Sequence, residues 1–228
     1  MPVWLEEHFL LMMLIAASLI SGIWLWMMRD RLGMTLFCVL LTVVLHTLYG
    51  VLTVKVFALV EDGSFQWAGK MSLFGGVFLM PLAFFIGARV TKRNMREVFD
   101  ILAVCTVETV FFARINCLAS GCCYGRMIPG MEPHRWPTRE AELIYYLVFL
   151  LFVIPKILKK NTNGSVYPLY MMSYGAFRFI TECFRDNGTN QIFHVAHIWA
   201  AISFAVGVSF LMEMKSRQKN IQKNIKRQ

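Results

Sequence analysis

Residues 174–185 read Tyr174-Gly175-Ala176-Phe177-Arg178-Phe179-Ile180-Thr181-Glu182-Cys183-Phe184-Arg185, and residues 113–126 read Ala113-Arg114-Ile115-Asn116-Cys117-Leu118-Ala119-Ser120-Gly121-Cys122-Cys123-Tyr124-Gly125-Arg126. Each stretch closes an apolar run long enough to cross a bilayer, and each holds an arginine at membrane depth. An arginine there costs about 2.5–3.5 kcal/mol on insertion scales, so it normally faces a polar cavity or an anionic partner. Arg114 and Arg178 therefore imply a bundle of membrane helices with a polar site inside it.

Composition agrees. With 57% hydrophobic and 16% charged residues and a mean hydropathy of +0.54, the chain is too apolar for a soluble domain of this length. Windows of about 20 apolar residues predict seven spans, at 9–28, 34–53, 71–88, 101–118, 141–158, 166–184 and 192–214. The fold class is an all-α integral membrane bundle of about seven helices. Alternate gaps hold Arg29 and Arg31; Arg89, Lys92, Arg93 and Arg96; Lys156, Lys159 and Lys160; and Lys215, Arg217, Lys219, Lys223, Lys226 and Arg227. This richer side is cytoplasmic by the positive-inside rule, which sets the N-terminus outside and the C-terminus inside.

The first run lacks a basic leader, follows Glu6 and Glu7 and precedes Arg29 and Arg31, so it reads as an anchor and not as a cleaved signal. With no linker and no fixed-period repeat, residues 1–228 read as a single polytopic domain. External loops are expected at 55–70 and 119–137, and a basic cytoplasmic tail at 215–228. Gly121, Gly125, Gly130, Pro129, Pro133 and Pro137 make 119–137 a turning loop rather than a strand. The net charge of +9 lies mostly in short juxtamembrane loops and the tail, which fits anionic lipid headgroups and not nucleic acid.

Several features meet at the outer ends of these helices. Tyr174, Arg178 and Glu182 follow an i, i+4, i+8 spacing and share a helix face, with Arg185 three residues further on. Glu182 can hold one edge of the Arg178 guanidinium while the other binds a phosphate. The third and fifth helices run inward, so their N-termini, near Ser72 and Gly75 and near Pro137 and Thr138, open on the same surface and favour an anion. A phospholipid headgroup is the ligand class this suggests. Plainer readings stand beside it: Arg178 and Glu182 as a structural ion pair, Arg185, Arg135 and Arg139 as interfacial anchors, and Trp67 and Trp136 as belt residues. Glu108 lies about 120° around the helix from Arg114 and reads as structural or protonated and hydrogen-bonded, ahead of a proton-handling role. His8, His46, His194 and His197 default to bundle residues, which leaves His134 in the loop as the histidine to test. Cys117, Cys122 and Cys123 can supply a disulfide in an oxidising exterior. Their C-x4-C-C spacing is a poor match to a zinc site, so no metal and no cofactor are expected.

At these residues the chain resembles the prolipoprotein diacylglyceryl transferase family. Lys70-Met71-Ser72-Leu73-Phe74-Gly75-Gly76 is similar to its G-M-S-F-H-G-G, and 114–126 to its R-I-G-N-F-x-N-G-E-x-x-G-R. Pro137-Thr138-Arg139-Glu140-Ala141-Glu142 is similar to P-S/T-Q-L-Y-E, and 174–185 to Y-G-x-x-R-F-x-x-E-x-x-R. The resemblance implies a seven-helix bacterial inner-membrane enzyme with its active face outside. Such an enzyme moves diacylglyceryl from phosphatidylglycerol to the lipobox cysteine of a prolipoprotein and releases glycerol phosphate. It implies that Arg114 and Arg178 belong to the lipid site, that Tyr174 and Glu182 are their helix partners and that Gly125 is the signature glycine. The family's helix-3 histidine is Phe74 here, its asparagine is Cys117 and its loop glutamate is Cys122; the N-terminal H-W-Y-G stretch has no clear counterpart.

The mechanism that follows places the phosphate on Arg114 and Arg178, with Tyr174 and Glu182 orienting Arg178 and a thiolate attacking the glyceryl carbon. His134 is the candidate replacement base. Two other readings keep the fold: a non-catalytic lipid-binding protein that lost its chemistry at Phe74, and a related transferase in which Cys122 or Cys123 carries the lipid. A transporter fits less well, because the charges gather at one face and not at the midplane.

Overall fold

Each of the seven apolar runs is a helix in the computed structural model, which describes residues 3–62, 71–160, 162–186, 188 and 193–225. Among the described residues the elements are α1 (Val3–Leu32), α2 (Leu36–Asp62), α3 (Phe74–Val90), α4 (Met95–Ser120), α5 (Thr138–Leu158), α6 (Val166–Glu182) and α7 (Val195–Ile225). Four of them, α1, α2, α5 and α7, contain windows long and apolar enough to cross a membrane, and α3 is a shorter apolar helix. The chain is an all-α membrane bundle.

The helix ends follow local chemistry. Asn94 caps α4 by accepting from the Arg96 amide at 3.1 Å. Gly121, at φ 66°, closes α4 in the left-handed conformation that lacks a penalty only for glycine. Two boundaries differ from expectation. α2 continues through Asp62, so the first part of the expected 55–70 loop is helix, while 63–70, with Trp67 and Lys70, lie outside the described residues. α7 continues as helix through much of the expected tail, to Ile225, because that segment is rich in good helix formers and carries a Glu213–Arg217 pair at 2.5 Å.

The helix with the most buried charge is central. α4 carries Asp100, Glu108 and Arg114 on its buried face and packs against α1, α3, α5 and α6. α1 is pinned to it by Trp24 Nε1 donating to the Ile101 carbonyl at 3.0 Å and Ser21 Oγ donating to Glu108 at 2.5 Å. That second bond satisfies Glu108 Oε2, while its Oε1 is buried with no hydrogen-bond partner among the described residues. α6 lies along α7 over its length, where a Cβ on Gly175 would come within 2.5 Å of the Phe204 nitrogen. Glycine is what lets the two backbones meet, the usual device where lipid gives no hydrophobic drive between helices. Gly75 does the same between α3 and α2, beneath the Thr53 carbonyl.

Candidate functional site

At one end of the bundle α4, α5 and α6 each deliver a buried ionic side chain to a common point. Glu142 lies on the inward stripe of α5, with Thr138, Tyr146, Phe149 and Val153. A carboxylate on such a stripe is costly unless it is paired. It has two partners: Arg178 Nη1 at 2.5 Å and Arg114 through Nε. The other nitrogen of Arg178, Nη2, reaches Glu182 at 2.6 Å. Arg185 closes the group at 3.8 Å from Glu142 and 4.0 Å from Glu182, and His194 Nε2 lies 2.7 Å from Glu182 Oε1.

Three guanidinium groups against two carboxylates leave this cluster with one surplus positive charge. Burial, and then the neighbouring Arg178 and Arg114, lower the pKa of Arg185. An anion placed among these groups would favour the charged form of each arginine. Donors remain for one: Arg178 Nε and the hydroxyls of Tyr146 and Tyr174 are buried with no hydrogen-bond partner among the described residues. Both tyrosines lie within electrostatic reach of Arg114 and Glu142.

The loop after α4 roofs this end. It turns back on itself, with Met127 bridged to Arg135, and is tied to the end of α6 by a Gly125–Arg185 bridge and by the Arg126 amide donating to the Phe184 carbonyl at 2.7 Å. A Cβ on Gly125 would run into the Trp136 carbonyl, so the signature glycine permits the fold of the loop. Arg126 Nε donates to the Arg185 carbonyl at 3.0 Å, and Arg135 pairs with Asp186 at 2.8 Å. Beside the cluster, a groove of about 760 Å³ runs between α6 and α7, lined by Phe179, Phe193, His194, His197, Ile198 and Ile202.

The structure thus brings together Arg114, Arg178, Glu182, Tyr174 and Arg185. Arg185 is mostly buried at the cluster and does not behave as a free interfacial anchor. Thr138 is buried at the start of α5, with its hydroxyl donating to the Cys123 carbonyl at 3.4 Å. Ser72 is buried and its amide donates to the Val54 carbonyl at 3.0 Å. The His134 ring is exposed in the loop after α4, with Nδ1 2.9 Å from the Met131 carbonyl. The histidine at the cluster is His194, which the sequence reading assigned to the bundle at large. Glu142 closes the 137–142 motif, and its position on an otherwise uncharged inward stripe is the sequence signal for its role. Phe74 packs in the core, its ring centroid 5.9 Å from that of Tyr174.

The three loop-end cysteines are not bridged to one another, and all three sulfurs lie within 4.8 Å of one another. Arg114 Nη1 lies 3.9 Å from Cys117 Sγ. A hydrogen bond from Cys117, and then the charges of Arg185 and Arg114, hold the Cys123 thiol well below the usual thiol range.

Comparison with known proteins gives a consistent result. The prolipoprotein diacylglyceryl transferase family matches residues 8–213. The chain is 30% identical over 131 residues to a phosphatidylglycerol–prolipoprotein diacylglyceryl transferase of Pasteurella multocida, covering 53% of this chain and 48% of that protein. It is 29% identical over 143 residues to the protein of that name from Acinetobacter baylyi, covering 56% and 52%. The Dehalococcoides mccartyi protein of that name is 24% identical over 171 residues, covering 68% and 65%. The chain spans about half the length of the first two relatives.

Proposed function

The chain belongs to the prolipoprotein diacylglyceryl transferase family, and we propose that it transfers diacylglyceryl from phosphatidylglycerol, or a similar anionic phospholipid, to a lipobox cysteine thiol of a prolipoprotein. The observation that carries this reading is the buried cluster with surplus positive charge and free donors on Arg178, Tyr146 and Tyr174.

The phosphate sits among Arg114, Arg178 and Arg185, on the outer side of a bacterial inner membrane. Glu142 and Glu182 fix the Arg178 fork by its two Nη atoms and leave Nε for the ligand. The groove beside His194 accepts an acyl chain, since its lining is almost wholly apolar and it ends at the cluster. As the glyceryl C–O bond breaks, charge grows on the departing phosphate and is stabilised by donors already in place, an effect worth about 10²–10³ in rate per donor. The acceptor sulfur attacks the glyceryl carbon from the side opposite the leaving oxygen.

Phe74 favours a second reading, a lipid-binding protein without turnover, because no titratable group stands where the family resemblance places a histidine. Complementation separates the two. The chain is expressed in cells depleted of their own transferase, and a model lipoprotein is followed by gel shift and mass. A diacylglyceryl adduct is expected. Stable, membrane-inserted protein that yields no adduct but binds phosphatidylglycerol establishes the binding reading instead.

A further inference from the structure

Cys117, Cys122 and Cys123 are drawn together by the way α4 ends. Gly121 turns left-handed at φ 66°, the Cys122 amide returns to the Cys117 carbonyl at 3.2 Å, and Cys123 is itself left-handed at φ 60°. This double turn folds the last two thiols back over the first. A C-x4-C-C spacing does not announce such a convergence, which is why the sequence argued against a metal. Zinc–sulfur bonds of about 2.3 Å in a tetrahedron hold sulfurs about 3.8 Å apart. Three sulfurs already within 4.8 Å of one another need only small side-chain rotations to reach that spacing.

We propose that Cys117, Cys122 and Cys123 bind one thiophilic divalent ion of the zinc type as three thiolates, and that its fourth position takes the acceptor thiol; this last part rests on the transferase reading. Charge fits the assignment. Three thiolates on a divalent ion carry one net negative charge, and the Arg114 guanidinium beside them offsets it locally. Arg114 already lies 3.9 Å from Cys117 Sγ. Three protein ligands with one open position is the donor count of catalytic zinc sites, whereas structural sites are closed with four. Cys122 is exposed, so an incoming ligand has access.

The site also answers the problem posed by Phe74. A thiol that coordinates such an ion is deprotonated outright, and no histidine is required. The acceptor sulfur binds the ion in place of a water and its proton leaves to bulk water. A sulfur lone pair then forms the C–S bond to the glyceryl carbon as the C–O bond breaks, and that electron pair departs on the oxygen of glycerol phosphate. No oxidation or reduction takes place.

The test uses the full chain, purified in detergent under reductant, stripped with a chelator and titrated with cobalt(II) and then zinc(II). The expected result is one equivalent bound, with sulfur-to-cobalt charge-transfer absorption and tetrahedral cobalt bands. Cys117→Ser, Cys122→Ser and Cys123→Ser should each weaken binding by at least about tenfold. A cysteine-containing lipobox peptide should shift the cobalt bands, and its serine counterpart should not. Reduced parental protein that binds no cobalt, or serine variants that bind it equally well, overturns the metal site. So does a Cys117–Cys123 disulfide in native membranes together with reduced protein that takes up no metal. Binding without a peptide-induced shift overturns the acceptor-thiol part alone. Metal uptake is read without turnover, so a protein that binds metal yet fails complementation refutes the transferase reading and leaves the site standing. Transfer by metal-free protein overturns the acceptor-thiol part and leaves the transferase reading standing.

Discussion

Two buried polar clusters join α4 to its neighbours at opposite ends of the bundle, and they are completed in different ways. At the start of α4, Asp100 accepts from Thr162 Oγ1 at 2.5 Å, from the Gly164 amide at 2.7 Å and from the Val166 amide at 2.9 Å. It caps α6 from another helix, at a terminus where Ser165 provides no side-chain cap. One carboxylate meets three donors and nothing is left over. At the far end, three arginines meet two glutamates, and buried donors on Arg178, Tyr146 and Tyr174 lack partners among the described residues. The closed cluster accounts for architecture. The open one has the surplus charge and spare donors that a receiving site for an anion needs.

The largest effect that tests this contrast is on chemistry. Arg178→Ala should lower lipid-to-cysteine transfer by about 10²–10³, whereas Asp100→Asn should leave transfer per folded molecule near the parental value. Near-parental transfer in Arg178→Ala would break the contrast. Of comparable size, but on stability, is Glu142→Gln, which leaves two buried arginines without their shared carboxylate and should cost about 3–5 kcal/mol. A thermal melt in detergent reads it, and phosphatidylglycerol should restore part of the loss by supplying an anion. Asp100→Asn should cost about 1.5–3 kcal/mol, the range for hydrogen bonds to a charged group. Faster amide exchange at Gly164 and Val166 and no rescue by lipid would mark that cluster as closed. The smallest effect concerns the roof of the open cluster. A hydrogen bond from Arg135, then one from the Gly188 amide, depress the Asp186 pKa. Its contribution is therefore present above the unfolded pKa of about 3.9 and is lost as pH falls through the lower folded value. For so exposed a pair it amounts to under about 1 kcal/mol. Limited proteolysis of the 121–137 loop should accelerate modestly in acid, and Asp186→Asn should remove that dependence.

Much of the open cluster was legible because helix periodicity is local. Tyr174, Arg178 and Glu182 share a face through their spacing alone, and the ion pair between the last two forms as that spacing demands. Arg185 was placed near them but assigned more readily to the interface, since its burial depends on the loop that folds over it. His134 was favoured because it lies in a loop beside motif residues. Yet its ring faces solvent, while His194, twelve residues beyond Glu182, returns at the start of α7 to bond with it.

The sequence by itself determined that this chain is a bundle of apolar helices, that arginines at membrane depth need an anionic partner, and that its motifs are those of one family. These are properties of composition, of the 3.6-residue period and of residue order, and none requires knowing which helices touch. Tertiary structure alone decided that Glu142 bridges Arg114 and Arg178, that His194 and not His134 reaches the cluster, and that three cysteines with unpromising spacing converge. Each of those facts depends on the rotation of one helix against another, or on a left-handed turn that reverses the chain. Both are set by packing among distant segments, which local patterning does not encode.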